Sequence, residues 1–241
     1  MTAESIRVLL REEALRQRVP LSEKQLEHFS RYLDLLRRWQ RTAVRLVGND
    51  EPETLVRVHV ADAFCIYRCT DRWKGSKLID IGSGAGFPGV CLKIIEPSLH
   101  LTLLDASARK MSFLAKVTAD LQLDNVEVIR GRAEQLAHQA RLREQFDLAT
   151  MRAVVNLPRG IEIGLPFVRA GGQLIVATGT MSRTDAEVAK RIGRSMGVGE
   201  MVIYAGLLGG VPVRGSIVVL AKVTLSERCY TRGRSDAAED C

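Results

Sequence analysis

The sequence contains no long hydrophobic run. No segment approaches the roughly 18 consecutive apolar residues that a membrane-spanning helix needs. The opening segment, MTAESIRVLLREEA, mixes acidic and basic side chains with apolar ones, which is not the pattern of a secretory signal peptide. These two absences predict an enzyme or binding protein of the cytoplasm that makes no contact with a membrane.

Cysteine is also scarce. The chain has five cysteines, none of them in a C-x-x-C pair, and they stand at positions 65, 69, 91, 229 and 241. His59 lies near the first two in sequence, but no second pair of ligands follows at the spacing of a zinc site. We therefore expect small buried thiols and no metal centre.

Positive charge is in modest excess. The chain has 35 Lys and Arg against 28 Asp and Glu, which gives a net charge of +7. Such an excess suits an anionic partner such as a nucleic acid. Because the excess is spread along the whole chain, the composition alone favours RNA or DNA without identifying either.

Residues 1–75 are predicted to form a helical extension. Apolar residues in its second helix recur every three or four positions, which places them along one face. The helices are expected over residues 4–18, 22–47 and 53–70. A basic set on another face of the second helix is interpreted either as a solvated stripe or as a group of phosphate contacts. The set consists of Arg37, Arg38, Arg41 and Arg45.

From residue 76 onward, short apolar runs alternate with amphipathic stretches. Strands are expected over residues 77–81, 100–105, 125–129, 146–151 and 172–178, and helices over 88–96, 107–121, 133–143, 156–168 and 182–196. This alternation predicts a Rossmann-like α/β domain, residues 76–225, with a mostly parallel sheet between helices. Two further strands, over residues 200–206 and 215–223, follow without a helix between them and predict a C-terminal antiparallel pair. The polar tail, residues 226–241, is expected to be partly disordered.

A glycine-rich turn after the first predicted strand is the most informative segment. It reads LIDIGSGAGFPG over residues 78–89, and Gly84, Gly86 and Gly89 match the G-x-G-x-x-G pattern of dinucleotide sites. Glycines between a strand and a helix let a ligand approach the backbone closely. The match alone leaves two cofactors open, NAD(P) and S-adenosylmethionine.

Two carboxylates favour S-adenosylmethionine. Asp80 precedes Gly82 by two residues, which gives the D-x-G-x-G-x-G pattern of methyl-donor enzymes. A carboxylate there can accept hydrogen bonds from the amino-acid part of the donor, directly or through water, and it would repel a pyrophosphate. Asp105 ends the next predicted strand, where a carboxylate accepts hydrogen bonds from both ribose hydroxyls of either cofactor. Each aspartate also fits a second interpretation, as the cap of the helix that follows it.

The third and fourth predicted strands end in further candidates. The backbone N–H groups of Ala133 and Glu134 are placed to recognise an adenine ring. Arg152 is placed either to bind a carboxylate or phosphate of a ligand or to pair with Asp80 as a structural contact.

These motifs resemble the bacterial 16S ribosomal RNA guanine-N7 methyltransferases, a family also known as glucose-inhibited division protein B. The segments that carry the resemblance are LIDIGSGAGFPG (78–89), LTLLDASARKMSFL (101–114), IRGRAEQL (129–136), FDLATMRAV (146–154) and His59-x-x-Asp62-Ala63. The resemblance implies a class I S-adenosylmethionine-dependent methyltransferase fold with S-adenosylmethionine as cofactor. The implied substrate is a guanine in the 530 loop of 16S ribosomal RNA, presented on RNA or on the small ribosomal subunit to a monomeric enzyme.

The expected site combines both lines of reasoning. The residues expected to bind the donor are Gly82, Gly84, Phe87, Asp105, Ala133, Glu134 and Arg152. We expect no catalytic acid or base, because guanine N7 offers a lone pair that carries no proton.

The chain departs from the family pattern within the extension. The family usually has Asn-Leu-Thr where this chain has Arg45-Leu46-Val47, and Arg-His where it has Val58-His59. RNA contact is expected in this region. The departures therefore leave open a methyltransferase of the same fold acting on another RNA guanine or on a small molecule, and an NAD(P)-binding oxidoreductase remains a weaker alternative.

Overall fold

The N-terminal extension is helical, as expected. The structure is a computed structural model that describes residues 2–42, 45–152 and 156–225, so the predicted tail lies outside the described residues. The helices of the extension are α1 (Ala3–Arg16), α2 (Glu23–Thr42), α3 (Pro52–Thr54), a π-helical segment (Leu55–Val60) and α4 (Ala61–Tyr67). None of the helices in the described ranges is long and apolar enough to cross a bilayer.

Helix α2 begins as its sequence predicts and ends earlier. The Ser22 Oγ accepts a hydrogen bond from the Gln25 N–H at 3.3 Å, and the Gln25 Oε1 accepts one from the Ser22 N–H at 2.8 Å, so the two residues form a capping box. The helix ends at Thr42 and not at residue 47. Downstream, the N–H groups of Leu46 and Val47 both donate to the Gln40 Oε1, at 3.0 and 2.9 Å. The chain thus folds back over the last turn of the helix, so the expected helical placement of Arg45 is wrong.

Seven strands form one sheet in the order β3-β2-β1-β4-β5-β7-β6. The strands are β1 (Lys77–Ile81), β2 (His100–Asp105), β3 (Val126–Arg130), β4 (Phe146–Arg152), β5 (Val168–Thr178), β6 (Val198–Leu208) and β7 (Val211–Lys222). The first five are parallel, and β7 lies antiparallel to both β5 and β6. The predicted mostly parallel sheet with an antiparallel C-terminal pair is therefore confirmed.

Helices cover both faces of the sheet. They are α5 (Gly89–Ile95), α6 (Ala108–Asp120), α7 (Ala133–Leu136), α8 (Leu157–Gly164), a 3₁₀ turn (Leu165–Phe167) and α9 (Arg183–Ser195). Helix α7 is only one turn long, although its sequence predicts a helix to residue 143. After α7 the chain turns back to enter β4, and this turn buries the side chains of Leu142 and Phe146.

Two hydrophobic clusters lie on opposite faces of the sheet. One joins the extension to the α/β domain, since Phe29 and Tyr32 of α2 belong to the same buried cluster as Leu92 of α5 and Phe113 of α6. The other contains Ile161 of α8 together with residues from β4, β5 and β7. Strand order reverses at β1 and β4, so a crevice is expected between their carboxyl ends, where ligands bind in sheets of this type.

Candidate functional site

The turn between β1 and α5 is built from glycines in left-handed conformations. Gly82, Gly84 and Gly86 have φ angles of +73°, +59° and +100°, which side chains other than glycine rarely adopt. At Gly86 an added Cβ would lie 2.7 Å from the Val90 Cγ2 and 2.9 Å from the Tyr32 Oη. The glycines therefore set the path of the turn and bring its backbone to the carboxyl edge of the sheet.

Asp105, at the end of β2, stabilises this turn through a hydrogen bond. Its Oδ2 accepts a hydrogen bond from the Gly84 N–H at 3.0 Å, and its Oδ1 accepts one from the Ser107 N–H at 2.8 Å. The Lys110 Nζ lies 3.8 Å from the same Oδ2. Each carboxylate oxygen has a second lone pair, so Asp105 both shapes the turn and retains acceptors for a ligand.

Two adjoining cavities open at this edge, and the seven expected donor-binding residues line them. One cavity, of about 240 Å³, is lined by Ala133 and Glu134 on one side and by Gly82 and Asp105 on the other. The second, of about 380 Å³, is lined by Gly82, Gly84, Phe87, Asp105 and Arg152, together with His59, Lys110, Leu46 and Val47. Because Gly82 and Asp105 line both cavities, the structure brings all seven residues to one place.

A cavity of about 470 Å³ lies at the opposite edge of the sheet. It is lined by the first residues of β1 and β2, Lys77 and His100, and by Asn125, which precedes β3. Ligands of parallel sheets bind at the carboxyl ends of the strands, and none of the seven candidate residues lines this cavity. Its volume therefore does not make it the candidate site.

Asp80, the other carboxylate of the glycine motif, makes its contacts within the protein, and its contact with the donor stays a prediction. Asp80 is fully buried and lines neither of the two cavities. Its Oδ2 accepts from the Gly89 N–H at 3.1 Å, and its Oδ1 accepts from the Thr150 Oγ1 at 2.9 Å. Burial raises the pKa of Asp80 to about 6, although these hydrogen bonds lower it. The Asp80 carboxylate therefore links the start of α5 to β4 through hydrogen bonds.

Arg152, at the end of β4, forms a cluster with two residues of the extension. Its Nε donates to the Asp62 Oδ2 at 3.1 Å, and its Nη2 donates to the His59 Nδ1 at 2.6 Å. The structural partner of Arg152 is thus Asp62 and not Asp80. Burial, and then the positive charges of Arg152 and Arg214, lower the pKa of His59 to about 4. Burial raises the pKa of Asp62, and the Arg152 charge partly offsets that shift.

The extension also reaches the glycine turn through aromatic residues. The Tyr32 Oη donates to the Ala85 carbonyl oxygen at 2.6 Å. The Phe87 ring packs against Tyr32, at a centroid distance of 5.3 Å, and against His59, at 5.0 Å. Sequence reasoning missed Tyr32 because it lies in the apolar stripe of α2, where a tyrosine is read as a core residue. It also missed Lys110, and it named Leu46 and Val47 only as part of a departure from the family pattern and not as residues that line the cavity.

Neither the cysteines nor the acidic residues form a metal site within the described parts of the chain. Cys65 and Cys91 are buried and Cys69 is half-buried, and all three are free thiols. Burial raises the pKa of Cys65 to about 11. These three cysteines are packing residues, as expected, and Cys229 and Cys241 lie outside the described residues.

Comparison with known proteins gives a consistent result. The model of the rRNA small subunit methyltransferase G family matches residues 25–204. A ribosomal RNA small subunit methyltransferase G from Roseiflexus castenholzii is 37% identical over 219 residues, covering 88% of this chain and 89% of the relative. The protein of the same name from Desulfitobacterium hafniense is 33% identical over 217 residues, covering 90% of this chain and 89% of the relative.

Solved structures with low sequence identity share the fold. An S-adenosylmethionine-dependent O-methyltransferase from Thermotoga maritima superposes with a TM-score of 0.55 at 13% identity, covering 80% of this chain and 72% of the other. A branched-chain polyamine synthase from Thermus thermophilus superposes with a TM-score of 0.59 at 16% identity, covering 87% of this chain and 68% of the other. These matches show the class I methyltransferase fold and nothing more specific.

Proposed function

The chain belongs to the rRNA small subunit methyltransferase G family, and from that membership we propose that it methylates N7 of a guanine in the 530 loop of 16S ribosomal RNA. The enzyme is an S-adenosylmethionine-dependent methyltransferase of small-subunit ribosomal RNA, as the family is. The target atom and the target loop are the parts that we propose. One observation carries the assignment of the site, namely that all seven candidate residues line two cavities joined at Gly82 and Asp105.

We propose that the donor spans both cavities with its ribose at their junction. Asp105 would accept hydrogen bonds from the ribose hydroxyls there. The adenine would lie in the smaller cavity, beside the first turn of α7. The N–H groups of Ala133 and Glu134 open that helix, and first-turn N–H groups have no acceptor within their own helix. The amino-acid part would then lie along Gly84 and Phe87, with Arg152 within reach of its carboxylate.

The chemistry proposed for this site requires no proton transfer by the protein. Bound S-adenosylmethionine supplies a methyl group on a cationic sulfur. In the transfer, guanine N7 would form a bond to the methyl carbon with a lone pair that carries no proton, so a general base has no role. The carbon–sulfur bond would break at the same time, leaving its electron pair on the sulfur of S-adenosylhomocysteine. The site must exclude water and hold N7 in line with the methyl carbon, about 3 Å away.

The side chains at the site fit that requirement. The His59 Nδ1 is engaged by Arg152, so a neutral His59 ring carries its proton on Nε2 and acts as a hydrogen-bond donor. With a pKa of about 4, His59 stays neutral at physiological pH. The Asp62 carboxylate is paired with Arg152 at 2.9 Å. His59 and Asp62 therefore position Arg152 and the Phe87 ring, and neither is assigned a proton-transfer step.

The extension is proposed to contact the RNA, with residues 76–225 binding the donor. Val47, which replaces a family residue, lines the larger cavity beside Phe87 together with Leu46. The departure from the family pattern therefore lies at the mouth of the proposed site. This placement supports keeping one alternative, that the target is a different guanine. We further propose that the protein works as a monomer in the cytoplasm, where ribosomal RNA is modified.

Two experiments test the proposed function. Isothermal titration calorimetry should detect S-adenosylmethionine and S-adenosylhomocysteine but not NAD, and preferential binding of NAD would support the oxidoreductase instead. Ribosomal RNA from cells lacking the protein should lose one N7-methylguanine, which reverse transcription after base-sensitive cleavage locates. Loss of a modification outside small-subunit RNA, or no loss at all, would contradict the proposal.

A further inference from the structure

A basic groove runs between α1 and α2, away from the two donor cavities. Its cavity volume is about 310 Å³. Four arginines and two acidic residues line it, namely Arg7, Arg31, Arg37, Arg38, Glu27 and Asp34. The groove therefore carries a net positive charge on the extension, where the proposed function expects contact with RNA.

The N-terminus of α1 adds to this charge. The helices run antiparallel, because the Arg11 Nη2 pairs with the Glu23 Oε1 at 2.7 Å and the Ser30 Oγ donates to the Ala3 carbonyl at 3.5 Å. Ala3 lines the groove, which places the first turn of α1 beside it. The N-terminus of a helix carries a partial positive charge and favours anions.

Two of the four arginines already make polar contacts within the protein. The Arg38 Nη2 pairs with the Asp34 Oδ2 at 2.7 Å, and the Arg31 Nη2 donates to the Asp120 carbonyl at 2.7 Å. The other two, Arg7 and Arg37, have Nε atoms that are buried and have no hydrogen-bond acceptor among the described residues. The one ion pair of Arg7 in that part of the chain is a long contact of 3.9 Å to the exposed Glu4. A buried guanidinium N–H without an acceptor is costly, and a phosphate oxygen would satisfy it.

The groove and the methylation site share one rigid element. Helix α2 carries Arg37 on the groove and also Tyr32, which donates to Ala85 of the glycine turn. Five residues separate the two, which is about 8 Å along a helix axis. Farther along, Gln40 holds the loop of Leu46 and Val47 at the mouth of the larger cavity. The groove and the mouth of the larger cavity are therefore both built on α2.

We propose that this groove binds backbone phosphates of the RNA substrate, with Arg7 and Arg37 as the contacts. The inference rests on the proposed function, because it assigns the phosphates to the same RNA. It predicts that the two arginines contribute to RNA affinity and not to donor affinity. It also predicts that their contribution weakens with salt, because phosphate contacts release counterions.

The test compares two double variants in the full-length protein. R7Q/R37Q removes two charges from the groove. R191Q/R194Q removes two exposed charges from α9, which packs on the other hydrophobic cluster. Small ribosomal subunits lacking the modification serve as substrate. R7Q/R37Q should raise the KM for subunits at least fivefold and leave kcat and the Kd for S-adenosylmethionine within twofold. It should also flatten the slope of log Kd for RNA against log salt concentration by about 0.7 per lost contact.

The control variant should leave all these quantities unchanged. An equal rise in KM for both variants would show that only the overall charge of the protein matters, which would overturn the proposal. An unchanged KM in both variants would also overturn it. In the unaltered enzyme, RNA should protect Arg37 from phenylglyoxal while Arg194 stays reactive, which tests the groove even if a variant folds poorly. If the unaltered enzyme fails to methylate subunits at all, the proposed function fails, whereas methylation with unprotected Arg37 overturns the groove alone.

Discussion

The Tyr32 hydroxyl donates a hydrogen bond to the Ala85 carbonyl oxygen, at 2.6 Å, and both residues are buried. This contact joins α2 of the extension to the glycine turn of the donor site. The turn therefore has support from outside the α/β domain. Donor binding and the packing of the extension are expected to depend on each other.

Replacing Tyr32 with Phe should lower both stability and donor affinity. The variant leaves the buried Ala85 carbonyl without its donor, which typically costs about 1–3 kcal/mol. Urea unfolding measures the stability, and calorimetry with S-adenosylmethionine measures the affinity. Tyr67→Phe is the matched control, because the Tyr67 hydroxyl has no partner among the described residues. Parent-like donor affinity in Tyr32→Phe would show that the turn does not need α2.

Replacing Asp105 with Ala should weaken S-adenosylmethionine binding by about 1.5–3 kcal/mol, the range for a hydrogen bond to a charged group. Part of this loss will reflect the turn, since Asp105 also accepts from Gly84 and Ser107. Asp105→Asn keeps one acceptor and should lose less. If both variants bind within twofold of the parent, the ribose assignment is wrong and Asp105 is only a structural cap.

A double-variant cycle separates the two roles of Arg152. Asp62→Ala frees the guanidinium and should leave donor affinity within about threefold. Arg152→Ala should reduce the affinity at least tenfold, because a charge-assisted contact to the donor is lost. The combined variant should stay as weak as Arg152→Ala, as calorimetry can show. Recovery to parent affinity in the combined variant would mean that Arg152 only neutralises Asp62.

Two buried groups should act on stability with opposite signs as the pH falls from 7 to 5. Asp80 has a pKa of about 6 against an ordinary 3.8, so the folded state takes up a proton first and gains stability on acidification, by about 1 kcal/mol. His59 has a pKa of about 4 against an ordinary 6.5, so the unfolded state takes up a proton first and stability is lost.

Variants of each residue should separate the two effects. Asp80→Asn should lose more stability than the parent between pH 7 and 5, and His59→Gln should lose less. Urea unfolding at the two pH values gives both differences. Equal pH dependence in all three proteins would show that neither group titrates as its burial predicts.

The sequence predicts the strands of this fold well because the parallel core strands are short apolar runs between turn residues. The bounds of β1 and β2 agree with the prediction at both ends. Helix ends were predicted less well, since tertiary contacts decide them. The side chain of Gln40 binds the chain that returns over α2, and the turn that leads into β4 shortens α7. Neither contact can be read from periodicity.

The candidate site shows the same limit. Gly82 and Asp105 were found because they follow strands at the carboxyl edge, where topology alone places them together. Asp80 follows the same rule in sequence, yet its side chain turns inward to Thr150 and Gly89. The direction of a side chain at a strand end depends on its neighbours in space. For the same reason, the contributions of Tyr32 and Lys110 became visible only in the structure.

The most direct test of the central claim is the position and pH dependence of methyl transfer to RNA. Single-turnover rates on small subunits should vary little between about pH 6.5 and 8.5, because no side chain must first lose a proton. The product should be N7-methylguanine at one guanine of the 530 loop, located by base-sensitive cleavage. A tenfold rise in rate per pH unit, or methylation of adenine or cytosine, would contradict the account.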